Sequence, residues 1–261
     1  MTDLVLQSAP APGIAQLTLN RPAQRNALDP ALIAALAAAL RAAIEHAPTR
    51  VIVIAAEGPS FCAGADLNAM LALGQGPRAA NRADAGHLAG LLGAVRESPK
   101  PVIACVQGPA FGGGFGLVAA CDLALASPAA RFRLPEVTLG LVPAVISPYV
   151  IEAIGARQAR RYFLTAEPIS AERACELGLV HEVTAADALL SRALELGREL
   201  SAAGPIALAT AKSLIAEVAH AAPSAALGAR TAEILAHVRS NTEAHEGIAA
   251  ALAKRSPTWK Q

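Results

Sequence analysis

The strongest constraint on the fold is an alternation of short, almost wholly apolar runs with helical segments. VIVIAA (51–56), PVIACVQG (101–108) and LALA (123–126) have no polar face, so each must be covered on both sides. A further short strand is expected at 131–134. Ahead of the first of these runs lies ALIAALAAALRAAIEH, which has helical spacing and opens with Asp29 as N-cap and Pro30 at the first helical position. A second helix is expected to open at Asp66 and a third to cover 87–97. Strands alternating with helices predict right-handed β-α-β crossovers and a largely parallel sheet, an α/β fold. Ahead of it, the runs at 4–7 and 14–19, split by Pro10, Pro12 and Gly13, predict a hairpin-like start. The polar, glycine-containing stretch 74–84 reads as a mobile loop. Beyond about residue 147 nearly everything reads as helix. A catalytic core over 1–200 and a C-terminal helical oligomerisation region over 201–261 are therefore expected.

Two apolar runs end in glycine-bearing turns, FCAGADL (61–67) and PAFGGGFGL (109–117). Each presents bare backbone N–H groups at the end of a strand, and glycine lets a ligand come within hydrogen-bond distance. The second turn also opens a helix, whose N-terminus favours developing negative charge. Such a pair can grip one oxygen from two sides, as a thioester carbonyl requires when it becomes an enolate. Residues 114–119 also fit a relaxed dinucleotide fingerprint. The helix it would open ends near Cys121, leaving no room for a unit of roughly 30 residues, so that reading is weak.

Composition excludes other classes. With a net charge of +1 over 261 residues, no basic field exists to recruit nucleic acid or an anionic membrane. Cys62, Cys105, Cys121 and Cys175 are far apart and form no CxxC pair, which favours core-filling thiols over disulfides or metal. The N-terminus has no basic and apolar leader pattern, and no apolar stretch reaches the roughly 18 to 20 residues of a membrane span. A soluble, cytoplasmic protein is expected. The six histidines show no HxxxH or HExxH spacing and GxSxG is missing, so zinc-hydrolase and serine-esterase readings have no support.

The two turns precede LPEVTLGLVP (134–143), which carries Glu136; RPAQRNAL (21–28) opens the series and EGIAAALAKRSP (246–257) closes it. With these motifs the chain resembles the enoyl-CoA hydratase/isomerase (crotonase) superfamily over nearly its whole length. The resemblance implies a spiral of repeated β-β-α units with a C-terminal helical trimerisation layer, in trimers or dimers of trimers. It implies an acyl-CoA substrate, with coenzyme A as the acyl carrier and no permanently bound cofactor. The N–H groups of Ala65 and Gly113 would form the oxyanion hole and Glu136 would be the principal acid/base. Arg25, Ala27, Ala63, Asp66, Leu67 and Lys254 would contact coenzyme A, Lys254 in some members from a neighbouring subunit.

Most hydratases of that family use two glutamates, and this chain has Gly116 where the first would stand, with no glutamate between Lys100 and Arg131 to replace it. Three readings follow: a single glutamate shuttling one proton, a substitute group such as Tyr149 or an ordered water, or a catalytically dead scaffold. The single glutamate suits Δ3,Δ2-enoyl-CoA isomerisation as well as hydration of a 2-enoyl-CoA to a 3-hydroxyacyl-CoA, a substitute group would serve hydration, and a dead scaffold would leave non-catalytic acyl-CoA binding. PAVIS (143–147) replaces the glycine-rich stretch common in the family. With FGGGFGL, it resembles the bacterial methylglutaconyl-CoA or isohexenylglutaconyl-CoA hydratases. A distal carboxylate on such a substrate needs a polar partner, for which Arg78 and Arg82 are candidates.

Overall fold

The computed structural model describes residues 3–260. The expected hairpin is formed by β1 (Val5–Ala11) and β2 (Ile14–Leu19), paired antiparallel with an irregularity between Ser8 and Ala11. Then come α1 (Pro30–Glu45), β3 (Val51–Ala56), α2 (Leu67–Gly74), α3 (Arg78–Arg96) and β4 (Val102–Val106). The Asp29 side chain accepts from the Leu32 N–H and so caps α1, with Pro30 at its first position. β5 (Ala110–Phe111), α4 (Gly113–Ala120), β6 (Leu123–Ala126), β7 (Arg131–Arg133) and α5 (Ser147–Thr165) follow. α5 is kinked at Gly155, φ 74°. The chain continues with β8 (Ile169–Ser170), α6 (Ala171–Glu176), β9 (Glu182–Val183), α7 (Leu189–Ser201), α8 (Pro205–Val218), α9 (Ala225–Arg239) and α10 (Thr242–Leu252).

The larger sheet has the order β1-β2-β3-β4-β6-β9, and every pairing after the hairpin is parallel. Successive residues of β3 explain why its apolar run has no break. Ile52 and Ile54 join the core under α1, α3 and α4, while Val51 and Val53 face the layer closed by Leu189 and Ala193 of α7. Fully burying each such side chain contributes about 1.5–3 kcal/mol. A smaller sheet, β5-β7-β8, stands beyond the carboxyl ends of the larger one, and isolated parallel bridges Leu28–Ala65 and Cys62–Ala110 extend it. The repeating unit is thus a long strand, a short crossing strand and a helix, as in β4-β5-α4 and β6-β7-α5.

Segment 74–84 is not a loop. Only residues 75–77 separate α2 from α3, and Arg78 and Arg82 are exposed on the first turns of α3. The Asn81 amide donates to the Leu73 carbonyl at 2.7 Å and to Pro77, stitching the two helices together. Among the described residues no helix is long and apolar enough to cross a membrane. Burial pushes the thiols of Cys62 and Cys105 up to about 12 and raises that of Cys121 as well, so all three stay protonated fillers of the core.

Candidate active site

Both glycine turns lie beyond the carboxyl ends of parallel strands, the position where open α/β sheets leave a crevice. In the first, the Leu28 N–H donates to Gly64 O at 2.7 Å and Leu28 O accepts from the Asp66 N–H at 2.9 Å. This pairing skips residue 65, so the Ala65 N–H has no intramolecular acceptor among the described residues. In the second, the Gly112 N–H is taken by Arg133 O at 2.9 Å, and Gly113 begins α4, where the leading N–H groups have no helical partner.

Each donor follows a glycine in the left-handed region, Gly64 at φ 94° and Gly112 at φ 48°. These two glycines face one another. A Cβ on Gly112 would stand 3.8 Å from the Gly64 Cα, and one on Gly64 would stand 3.1 Å from Phe111 O. The peptide units carrying the two unpaired N–H groups are therefore neighbours, as the sequence required. Leu28 Cδ1 lies 2.8 Å from the Cβ position of Gly113, and Leu88 of α3 lies 3.9 Å from it, giving the donor apolar walls.

Glu136 opens a short 3-10 turn, Glu136–Leu139, just after β7. Its Oε1 lies 3.0 Å from the Cβ position of Gly112, so the carboxylate stands against the residue preceding the Gly113 donor. Oε2 is buried with no hydrogen-bond partner among the described residues. Neither nearby arginine neutralises it: Arg133 Nε donates to Ala166 O, and Arg131 donates to the carbonyls of Pro128 and Ala130. Burial holds the Glu136 carboxyl above its ordinary value, outweighing a bond from its own backbone N–H. A carboxyl raised in this way moves towards what a general acid/base needs.

Tyr149 is not brought to this carboxylate. Its hydroxyl lies beside Gly93 of α3, 3.9 Å from that residue's Cβ position, and the charges that act on it are Glu97 and Arg96. Gly116, one turn along α4, has no room for a side chain: Ile146 Cγ2 lies 2.2 Å from its Cβ position.

Of the residues expected to hold coenzyme A, five form one bonded patch. Ala63 N–H donates to Arg25 O at 2.9 Å, Ala27 O accepts from the Arg21 guanidinium at 3.0 Å, and Asp66 is tied to Leu28. Arg25 and Leu67 are exposed on that patch. The Asp66 side chain is already engaged, capping α2 at the N–H groups of Asn68 and Ala69, with Arg21 4.0 Å away. Lys254 is exposed just after α10. No hydrogen bond or ion pair joins it to the patch among the described residues.

Sequence reasoning missed the residues that hold the patch. Asn26 is completely buried: its amide donates to Glu57 O and Ser60 O, both at 2.9 Å, and its Oδ1 accepts from the Arg21 N–H at 2.8 Å. Arg21 adds an ion pair to Asp29 at 2.8 Å. A polar asparagine between arginine and alanine was the only available signal. A cleft of about 740 Å³ opens between the β1–β2 hairpin and the end of α1, lined by Pro10, Ala43 and His46, but it contains none of these residues.

The sequence model of the enoyl-CoA hydratase/isomerase family matches residues 10–261. The chain belongs to the enoyl-CoA hydratase/isomerase family. It is 38% identical over 245 residues to the 2,3-dehydroadipyl-CoA hydratase of Escherichia coli (strain K12), covering 94% of each chain. It is 35% identical over 260 residues to the mevalonyl-coenzyme A hydratase of Aspergillus fumigatus, covering 98% of this chain and 94% of that one. The crystal structure of an enoyl-CoA hydratase from Shewanella pealeana superposes with a TM-score of 0.94 at 38% identity, covering 98% of this chain and 96% of that one. This family member is an enzyme of the hydratase type with a crotonase-like α/β fold.

Proposed function

We propose that the chain adds water across the double bond of a 2-enoyl-CoA thioester, giving a 3-hydroxyacyl-CoA. The observation that carries this is the adjacency of two unpaired N–H groups, at Ala65 and Gly113, to one buried carboxylate. The N–H pair binds the thioester oxygen as it gains charge, each donor being worth about 3 kcal/mol in a dry site. The Glu136 carboxylate takes a proton from water as its oxygen bonds to the β-carbon, and the resulting acid gives a proton to the α-carbon of the enolate. One water is consumed and Glu136 ends as it began.

Isomerisation of a 3-enoyl-CoA is the second reading, favoured by the absence of any side chain at Gly116. There Glu136 would carry one proton from C2 to C4. The finer substrate proposal is a dicarboxylic acyl chain such as 3-methylglutaconyl-CoA. Its distal carboxylate would meet Arg78 or Arg82, exposed on the helix whose Leu88 lines Gly113. Arg25 would meet the phosphates of coenzyme A. Lys254 would do so only from a neighbouring copy. That arrangement fits a homotrimer built on segment 201–261, since α8 and α9 bury no residue within one chain.

The test follows the loss of conjugated thioester absorbance with crotonyl-CoA and 3-methylglutaconyl-CoA, products being identified by mass. The expected result is hydration by the wild type, abolished in Glu136→Gln with acyl-CoA binding retained. Wild-type turnover in Glu136→Gln would refute the mechanism. Products without added solvent oxygen would favour isomerisation.

A further inference from the structure

Gly112 and Gly116 sit one turn apart at the start of α4, with the Gly116 N–H donating to Gly112 O at 3.0 Å. Different parts of the 134–147 segment fill the space that a side chain would take at each. Glu136 Oε1 stands over Gly112, and Ile146 stands over Gly116 with its Cγ2 at 2.2 Å and its Cβ at 2.6 Å from the Cβ position. Contacts that short do not occur between real carbon atoms, so residue 116 cannot carry any side chain while Ile146 keeps its place. Ile146 is itself fixed. It is 2% exposed, belongs to the main core and stands at the head of α5, where its carbonyl accepts from the Val150 N–H at 3.1 Å. The absence of a carboxylate at 116 and the branched residue at 146 are therefore one steric arrangement.

We propose that Ile146 is a specificity-determining residue: seated over Gly116, it occupies the volume in which a second carboxylate would stand beside Glu136, and so confines the site to single-carboxylate chemistry. The inference rests on the hydratase reading above for its functional half and on packing alone for its steric half. The volume at residue 116 is filled by the hydrocarbon of Ile146, which leaves Glu136 as the one group to take and return the proton. Removing Ile146 is the condition for a second titrating group to enter.

The experiment compares wild type, Gly116→Glu, Ile146→Ala and the Gly116→Glu/Ile146→Ala double variant. Thermal unfolding tests the steric half without reference to any reaction. Gly116→Glu is expected to melt well below wild type, and adding Ile146→Ala is expected to recover most of that loss. An unchanged melting temperature in Gly116→Glu, or no recovery in the double variant, would overturn it. Should Gly116→Glu fail to fold, a soluble double variant still supports the steric half and an insoluble one refutes it. For the functional half, kcat for crotonyl-CoA in the double variant is expected to exceed that of Ile146→Ala by about tenfold or more. Its pH profile is expected to gain a second ionisation. Equal kcat and identical pH profiles would refute the specificity role. Glu136→Gln in the wild-type background isolates the hydratase reading, because its failure there leaves the melting comparison intact.

Discussion

Glu136 Oε1 stands 3.0 Å from the point where Gly112 would carry a Cβ. The left-handed φ of 48° at Gly112 thus serves two ends: it turns the chain so that the Gly113 N–H leads α4, and it leaves the space that the carboxylate takes. Gly112→Ala brings both a strained backbone, costing about 1–3 kcal/mol, and a displaced acid. We expect kcat/KM to fall about 100-fold with a lower melting temperature. An alanine variant with wild-type kcat/KM would show that the carboxylate does not need this position.

Burial raises the Glu136 carboxyl, so the folded chain favours the neutral acid. Stability from this group is fully present below the ordinary carboxylate range and is lost as pH rises through the raised folded value. Glutamine has no charge to bury. The melting temperature of Glu136→Gln relative to wild type is therefore expected to rise as pH increases above about 4. A difference that does not change with pH would contradict the burial argument.

Asn26 satisfies three backbone groups from a fully buried position. Asn26→Ala leaves those groups unpaired, and urea unfolding is expected to show a loss of about 3 kcal/mol. Asn26→Asp keeps the shape but loses both donated bonds and adds a charge, so it should be the worse variant. If aspartate is the milder change, the two donated bonds are not what matters.

Lys212 of α8 pairs with Asp122 at 2.6 Å, with both side chains mostly covered, and the same Asp122 oxygen accepts from the Val102 N–H at 2.7 Å. Because α8 buries no residue of its own in a single chain, this pair is a main tether to the sheet. Lys212→Met is expected to cost about 2–4 kcal/mol by leaving Asp122 unpaired. Limited proteolysis should then cut first within 203–223. Cleavage elsewhere at wild-type rates would mean that α8 is held by other contacts.

Much of the fold was legible because its signals are local. Val51 to Ala56 reads as a strand, Asp29-Pro30 as a helix start, and the glycine turns before Ala65 and Gly113 as places where backbone N–H groups are left unpaired, each from its immediate neighbours. The stretch 74–84 misled because Gly74, Gly76 and Pro77 look like loop composition. In the structure Pro77 stands at the N-cap of α3, and the Asn81 amide closes the gap to α2. The covering of Gly116 by Ile146 could not be read, since nothing local to either residue announces a contact across 30 positions. Asn26 was hidden for the same reason: its partners Glu57 and Ser60 lie in another segment. Lys254 matched a motif, but no hydrogen bond or ion pair joins it to the patch among the described residues.

The stitching between 21–28 and 60–66 has a consequence for motion. Ala63 N–H reaches Arg25 O, Leu28 N–H reaches Gly64 O, Asp66 N–H reaches Leu28 O, and Asn26 holds Ser60 O. Donors alternate between the segments, so no single bond can be released while its neighbours stay closed. The two segments form one cooperative opening unit, in which the amides of Leu28, Ala63 and Asp66 would exchange with solvent at a common rate. Anything that grips the exposed Arg25 side of the patch therefore slows the breathing of the peptide that carries the Ala65 N–H, without touching it.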